Sequence, residues 1–227
     1  MWGTMILPAY VISLPGSDRR PIIAAHLAAH KLPFRFWDGV LVPADAEGRR
    51  QLLLSYAPDM DPSKVTLTDG SLGTLLSYVG LWRHLHLEHA DDATLTLILE
   101  DDVVCNPGVD FAGLDFNTVA SALMGPTDYC FLHWYPCRPT GAQAQLVSRR
   151  SVAVLDRHAQ AILERNSPVD LMLWMNCPAA DELRVGDTYR GGAGPWLFRH
   201  AHDYDNQTLS ERMRINLARH GTASDYA

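Results

Sequence analysis

Along the chain, short apolar runs alternate with segments whose apolar residues recur at helical spacing. Ala9 to Leu14 (AYVISL) is rich in strand formers and is closed by Pro15-Gly16. Ser17-Asp18 then offers a helix cap, and Arg20 to His30 reads as a helix. Phe34 to Val40 (FRFWDGV) predicts a second strand. Pro43 to Thr68 is mixed and polar, with Pro58, Asp59, Asp61 and Pro62 marking loops. After Asp69-Gly70 the stretch SLGTLLSYVGLWRHLHLEHA places Leu72, Leu75, Leu76, Val79 and Leu81 or Trp82 on one side of a helix. Ala93 to Leu99 is apolar throughout, the pattern of a central strand covered on both faces. Asp128 to Trp134 and Ala142 to Ser148 are further strand candidates, and Arg150 to Arg165 reads as one helix. Strands alternating with helices predict an α/β fold, with a mostly parallel central sheet flanked by helices.

The chain has 227 residues, a length that suits one large domain, here residues 1–220. The tail 221–227 (GTASDYA) is expected to be mobile. A net charge of -7 argues against nucleic acid or an anionic membrane surface as the main partner. No stretch is apolar for long enough to span a bilayer. The opening MWGTMILPAYVISLP lacks the basic region and cleavage site of a signal peptide and reads as the first strand. Cys105, Cys130, Cys137 and Cys177 form no CxxC pair and have no zinc-ligand spacing, so reduced thiols in a cytoplasmic protein are expected.

The chemistry concentrates where the central strand ends. In TLILEDDVV the apolar run meets Glu100, Asp101 and Asp102 in succession. Ligands of open α/β sheets bind outside the carboxyl ends of strands, and this cluster sits at such an end. A solvated acidic loop or a helix N-terminus would also accept carboxylates. A phosphoacceptor pocket of the receiver type needs a lysine from a later strand. The lysines here, Lys31 and Lys64, both precede the cluster. The other functional reading is a cation that bridges carboxylates to a diphosphate. Without it, each close carboxylate–phosphate pair costs about 4 kcal/mol at an effective dielectric of 20; Mg²⁺ or Mn²⁺ reverses the sign.

Several stretches together resemble glycosyltransferase family 25, the lipooligosaccharide galactosyltransferases and their relatives among collagen galactosyltransferases. They are YVISLPGSDRR, FRFWDGV, DGSLGTLLSYVGLWR, LILEDDV, GAQAQLVSRRS, PVDLMLW and HAHDYDNQTLS, in the family's order across most of the chain. The resemblance implies a GT-A-like nucleotide-diphospho-sugar transferase fold, with UDP-galactose as the usual donor and a glycan acceptor. It implies that Ile12, Ser13, Leu14 and Arg19 or Arg20 line the nucleotide end, where a helix N-terminus can face phosphates. It places Asp102 as metal ligand, Glu100 and Asp101 as sugar contacts or supports, and Gln143 and Ser148 near the donor sugar. Asp170 is either the general base of an inverting transfer or a helix cap after Ser167-Pro168. His202, with Asp203, is a candidate to complete the metal or acceptor site.

Two positions depart from the family pattern: Tyr78 stands where histidine is common, and Thr74 where cysteine is frequent. The chain also lacks the basic C-terminal extension of some relatives. Any contact with the inner membrane is therefore expected to be peripheral, through the acceptor, without stable insertion. Competing readings are a non-catalytic nucleotide-sugar-binding module and a nucleotide-sugar hydrolase, which share the same acidic cluster.

Overall fold

The structure is a computed structural model that describes residues 5–89, 91–92, 94–105, 109, 111, 129–131, 144–166, 179, 182–183, 185–187 and 198–200. Strand β1 (Met5–Ser13) is the hub of the sheet. It pairs in parallel with β2 (Phe34–Asp38) on one side and β3 (Leu95–Glu100) on the other. Strand β6 (Ala144–Ser148) runs antiparallel to β3, and β5 (Tyr129–Phe131) antiparallel to β6. The outermost strand, β7 (Val185–Asp187), is parallel to β5. The sheet order is therefore β2-β1-β3-β6-β5-β7, with β6 alone reversed. A separate antiparallel pair joins β4 (Val103–Cys105) to β8 (Phe198–His200). This is the predicted α/β fold, a mostly parallel sheet flanked by helices.

Alternation along β1 divides the core in two. Tyr10 and Ile12 join the cluster under the long helix α3 (Asp69–Glu88), whereas Ala9 and Val11 join the cluster under α1 (Arg19–Ala29). On β3, Ile98 faces the first cluster, and Leu95, Leu97 and Leu99 face the second. A strand covered on both faces favours apolar side chains, and β3 is apolar but for the buried Thr96 and the terminal Glu100.

Helix α3 begins at the Thr68 cap, whose hydroxyl accepts the Ser71 N–H. It buries Leu72, Leu75, Leu76, Tyr78, Val79, Leu81, Trp82 and Leu85, more than one face. The reason is a second partner: α4 (Arg149–Arg157) lies against it, tied by Asp156 to both Arg83 and His86.

Two sequence expectations are corrected. The polar region before α3 contains a helix, α2 (Ala46–Tyr56), capped by Asp45 Oδ1, which accepts the Gly48 N–H at 2.7 Å. Only Leu53 of this helix is buried, so it carries no apolar stripe to betray it. The single helix expected over Arg150 to Arg165 is two, α4 and α5 (Ala159–Glu164). They meet at His158, whose φ of -97° and ψ of 9° leave the helical region while its ring engages Glu182 at 2.6 Å. The predicted mobile tail lies outside the described residues, as do the ends of the Asp128–Trp134 strand.

Candidate active site

The carboxyl ends of β1 and β3 are in register, Ile12 opposite Glu100, so whatever follows each strand meets the other. After β1 the chain turns at Leu14-Pro15-Gly16-Ser17, where the Ser17 N–H donates to the Leu14 carbonyl at 3.1 Å. Proline at the second place and glycine with φ of 74° at the third satisfy this turn. It delivers the chain directly into α1, with Arg19 in the first turn.

Arg19 Nη1 donates to Asp101 Oδ1 at 2.6 Å, and the Ser13 hydroxyl donates to Oδ2 of the same carboxylate at 2.6 Å. Asp101 is thus buried between β1 and α1 with both oxygens engaged. Burial pushes its carboxyl above the ordinary value, against the pull of Ser13 and Arg19, and the Asp102 charge adds to the rise. Glu100, on the opposite face of the strand end, accepts the Tyr78 hydroxyl at 2.9 Å.

Beside this cluster lies a cavity of about 400 Å³. Ile12, Ser13, Leu14, Arg19, Glu100, Asp101 and Asp102 all line it, so most of the sequence-predicted residues converge. Arg20 does not. Its guanidinium donates to the Ser13 carbonyl and to Asp38, and lies over the Phe36 ring at 4.7 Å, bracing β1 against β2. Gln143, Asp170 and His202 lie outside the described residues. Ser148, expected near the donor sugar, pairs with Leu95 at the far end of β3 and caps α4 by accepting the Ser151 N–H.

Apart from Thr74, the opposite wall was missed by sequence reasoning. It consists of Gly39 to Val42, after β2, and Asp69, Gly70, Gly73, Thr74 and Ser77 from the start of α3. The two halves interlock through backbone. The Gly39 N–H donates to the Ser13 carbonyl at 2.8 Å. The Val40 N–H donates to Ser77 Oγ at 2.8 Å, and that hydroxyl donates to the Gly73 carbonyl at 2.6 Å. A Cβ on Gly73 would stand 2.6 Å from the Val40 carbonyl oxygen, so only glycine permits this approach. The signal was legible in principle: small residues stand at 73 and 77, spaced i, i+4 on one side of the helix.

The donor set bears on a cation. Carboxylate oxygens suit a hard ion such as Mg²⁺ or Mn²⁺. Asp101 already has a cationic partner, which leaves Glu100 and Asp102 facing the cavity without a convergent cage of three acids. Mg²⁺ is commonly held by one or two carboxylates together with substrate phosphates, and the residues present fit that arrangement. Among the described residues, the one group of three possible ligands within 4.8 Å is elsewhere: His26, His30 and Cys105. There His26 Nε2 accepts the Cys105 N–H at 2.8 Å, which uses the lone pair a metal would need. Burial also pushes the Cys105 thiol up to about 12. That cluster is a structural one.

An α/β sheet that brings carboxylates, an arginine and a helix start to one cleft at its strand ends has the layout of an enzyme for phosphorylated ligands, and sequence comparison names the class. The model of glycosyltransferase family 25 (LPS biosynthesis protein) matches residues 6–118, a span holding β1 through the acidic cluster, and over that span the chain is similar to this family. This similarity supports a role in glycosyl transfer. Among solved structures, the chain is similar to a glycosyltransferase involved in the glycosylation of the major capsid of PBCV-1, with 12% identity and a TM-score of 0.44. That similarity covers 93% of this chain and 100% of the other. No curated protein matches the sequence.

Proposed function

We propose that this glycosyltransferase moves galactose from UDP-galactose to a hydroxyl of a glycan acceptor such as lipooligosaccharide, with inversion and with the help of Mn²⁺ or Mg²⁺. The observation that carries the reading is the single cavity into which β1, α1 and β3 bring Ser13, Arg19, Glu100, Asp101 and Asp102. Ile12, Ser13, Leu14 and Arg19 line the nucleotide end. The first-turn N–H groups of α1 are engaged within the turn, Arg19 with the Ser17 hydroxyl and Arg20 with the Ser17 carbonyl, and Pro21 has none. Asp102 holds the cation, with His202 as a second ligand. When bound, the cation neutralises charge on the departing nucleotide diphosphate. Glu100 receives hydroxyls of the donor sugar, a region to which the family resemblance also assigns Gln143.

Asp170 takes the proton of the acceptor hydroxyl. That oxygen forms its bond to the anomeric carbon as the bond to the diphosphate breaks, and UDP leaves. The net charge of -7 disfavours attachment to an anionic surface, so any contact with a membrane is peripheral, through the acceptor itself. No helix among the described residues is long and apolar enough to cross a membrane.

Isothermal titration of UDP-galactose into the protein, with and without Mn²⁺, tests the reading. Binding that appears only with the metal is the expected result. Absence of binding under both conditions, alongside binding of a GDP- or CMP-sugar, would replace the donor.

A further inference from the structure

Tyr78 has a place in the fold that core packing alone does not require. It is wholly buried on α3, and its ring is tilted against Trp82 at 5.9 Å within the apolar cluster. Its hydroxyl donates to Oε1 of Glu100, a residue that lines the cavity. Ser77, the residue before it, secures the opposite wall by accepting the Val40 N–H. One turn of α3 thus touches both sides of the cleft.

A glutamate at a strand end has three side-chain torsions, and ordering them costs conformational entropy. A tyrosine ring held by a close-packed core has none left to lose. A charge-assisted hydrogen bond between the two transfers the rigidity of the core to the carboxylate. We infer that Tyr78 is a positioning residue, which sets the Glu100 carboxylate in one orientation for the donor sugar. This rests on the proposed role of Glu100 in sugar transfer. The alternative is that Glu100 merely gives a buried phenol an acceptor. In that case the carboxylate's direction is immaterial to catalysis.

The experiment has a structural and a kinetic arm, using Tyr78→Phe, Glu100→Gln and the double variant. Tyr78→Phe keeps the ring in its packing, so the fold is retained, with the unfolding temperature of each variant as the control. Crystal structures of the parent and Tyr78→Phe are expected to show one Glu100 conformer in the first and a displaced or multiple one in the second. This arm needs no substrate, so it is decisive even if no nucleotide sugar is turned over and the donor reading fails. In the kinetic arm, consumption of UDP-galactose with Mn²⁺ is measured. Tyr78→Phe is expected to lower kcat about tenfold with the donor KM within about twofold, because the hydrogen bond orients the carboxylate for transfer. The double variant should be no slower than Glu100→Gln alone, the signature of one residue acting through the other. An unmoved Glu100 in Tyr78→Phe, an unchanged kcat, or effects that multiply in the double variant would each overturn the assignment.

Discussion

Arg19 and Asp101 form the ion pair that closes the cavity floor, with Nη1 and Oδ1 2.6 Å apart and the Arg19 side chain 22% exposed. Asp101 is the more deeply placed partner, and its other oxygen is held by Ser13. The pair therefore joins β1, α1 and the β3 terminus at one point. Removing Arg19 leaves a buried carboxylate without its cation. Breaking a wholly buried pair costs about 3–5 kcal/mol, and the partial exposure of Arg19 reduces this. Arg19→Ala is expected to lose about 2 kcal/mol of stability in urea unfolding, whereas Arg19→Ala/Asp101→Asn should recover part of it.

Asp102 is expected to carry metal dependence and little stability. Asp102→Asn should remove the Mn²⁺-dependent component of UDP-galactose binding in calorimetry while its melting temperature stays near that of the parent. Metal-dependent binding that survives the substitution would move the cation to another acid.

The approach of Gly73 to Val40 predicts an overpacking penalty. Alanine is favoured over glycine in a helix interior by about 1 kcal/mol, yet the new Cβ would meet a backbone oxygen that cannot rotate away. Gly73→Ala is expected to destabilise the protein by about 1–3 kcal/mol and to weaken donor binding through displacement of residues 39–42. A stabilised variant would mean that the loop yields freely.

His26 predicts a pH dependence far from the cleft. Burial, with a smaller contribution from neighbouring His30, pushes it down from 6.5 to about 4 in the folded protein. Between those values the unfolded chain binds the proton and the folded one does not. Stability is therefore present above pH 6.5 and is lost as pH falls toward 4, by on the order of 3 kcal/mol. Protonation also breaks the bond that His26 Nε2 accepts from Cys105. His26→Gln should flatten this part of the stability profile, measured by urea unfolding at several pH values.

Much of this arrangement was legible in the sequence because its signals are contiguous. An apolar run ending in acids is one strand and its terminus, and Pro15-Gly16 before Ser17-Asp18 is one turn and a helix start. What escaped has no such local pattern. Helix α2 buries a single leucine, so its period is silent. The far wall of the cavity is built from backbone groups of Gly39, Val40 and Gly73, whose importance lies in how closely two distant segments approach. The division of labour among Glu100, Asp101 and Asp102 was equally hidden. Three adjacent acids read as one cluster, and only the folded positions of Arg19, Ser13 and Tyr78 separate a structural carboxylate from those that face the cleft. Asp170, Gln143 and His202 stand on the family resemblance.

The seam between α3 and residues 39–42 also bears on how the cleft could change over generations. The seam depends on two small residues, Gly73 at the Val40 carbonyl and Ser77 at the Val40 N–H, so the wall is a fixed template as long as both are kept. Thr74 and Leu41 are different: both line the cavity, both are exposed, and Leu41 is 78% so. The contacts that hold the seam are those of Gly73 and Ser77 with Val40. A new substrate preference can therefore be acquired at these two side chains without renegotiating the architecture around them.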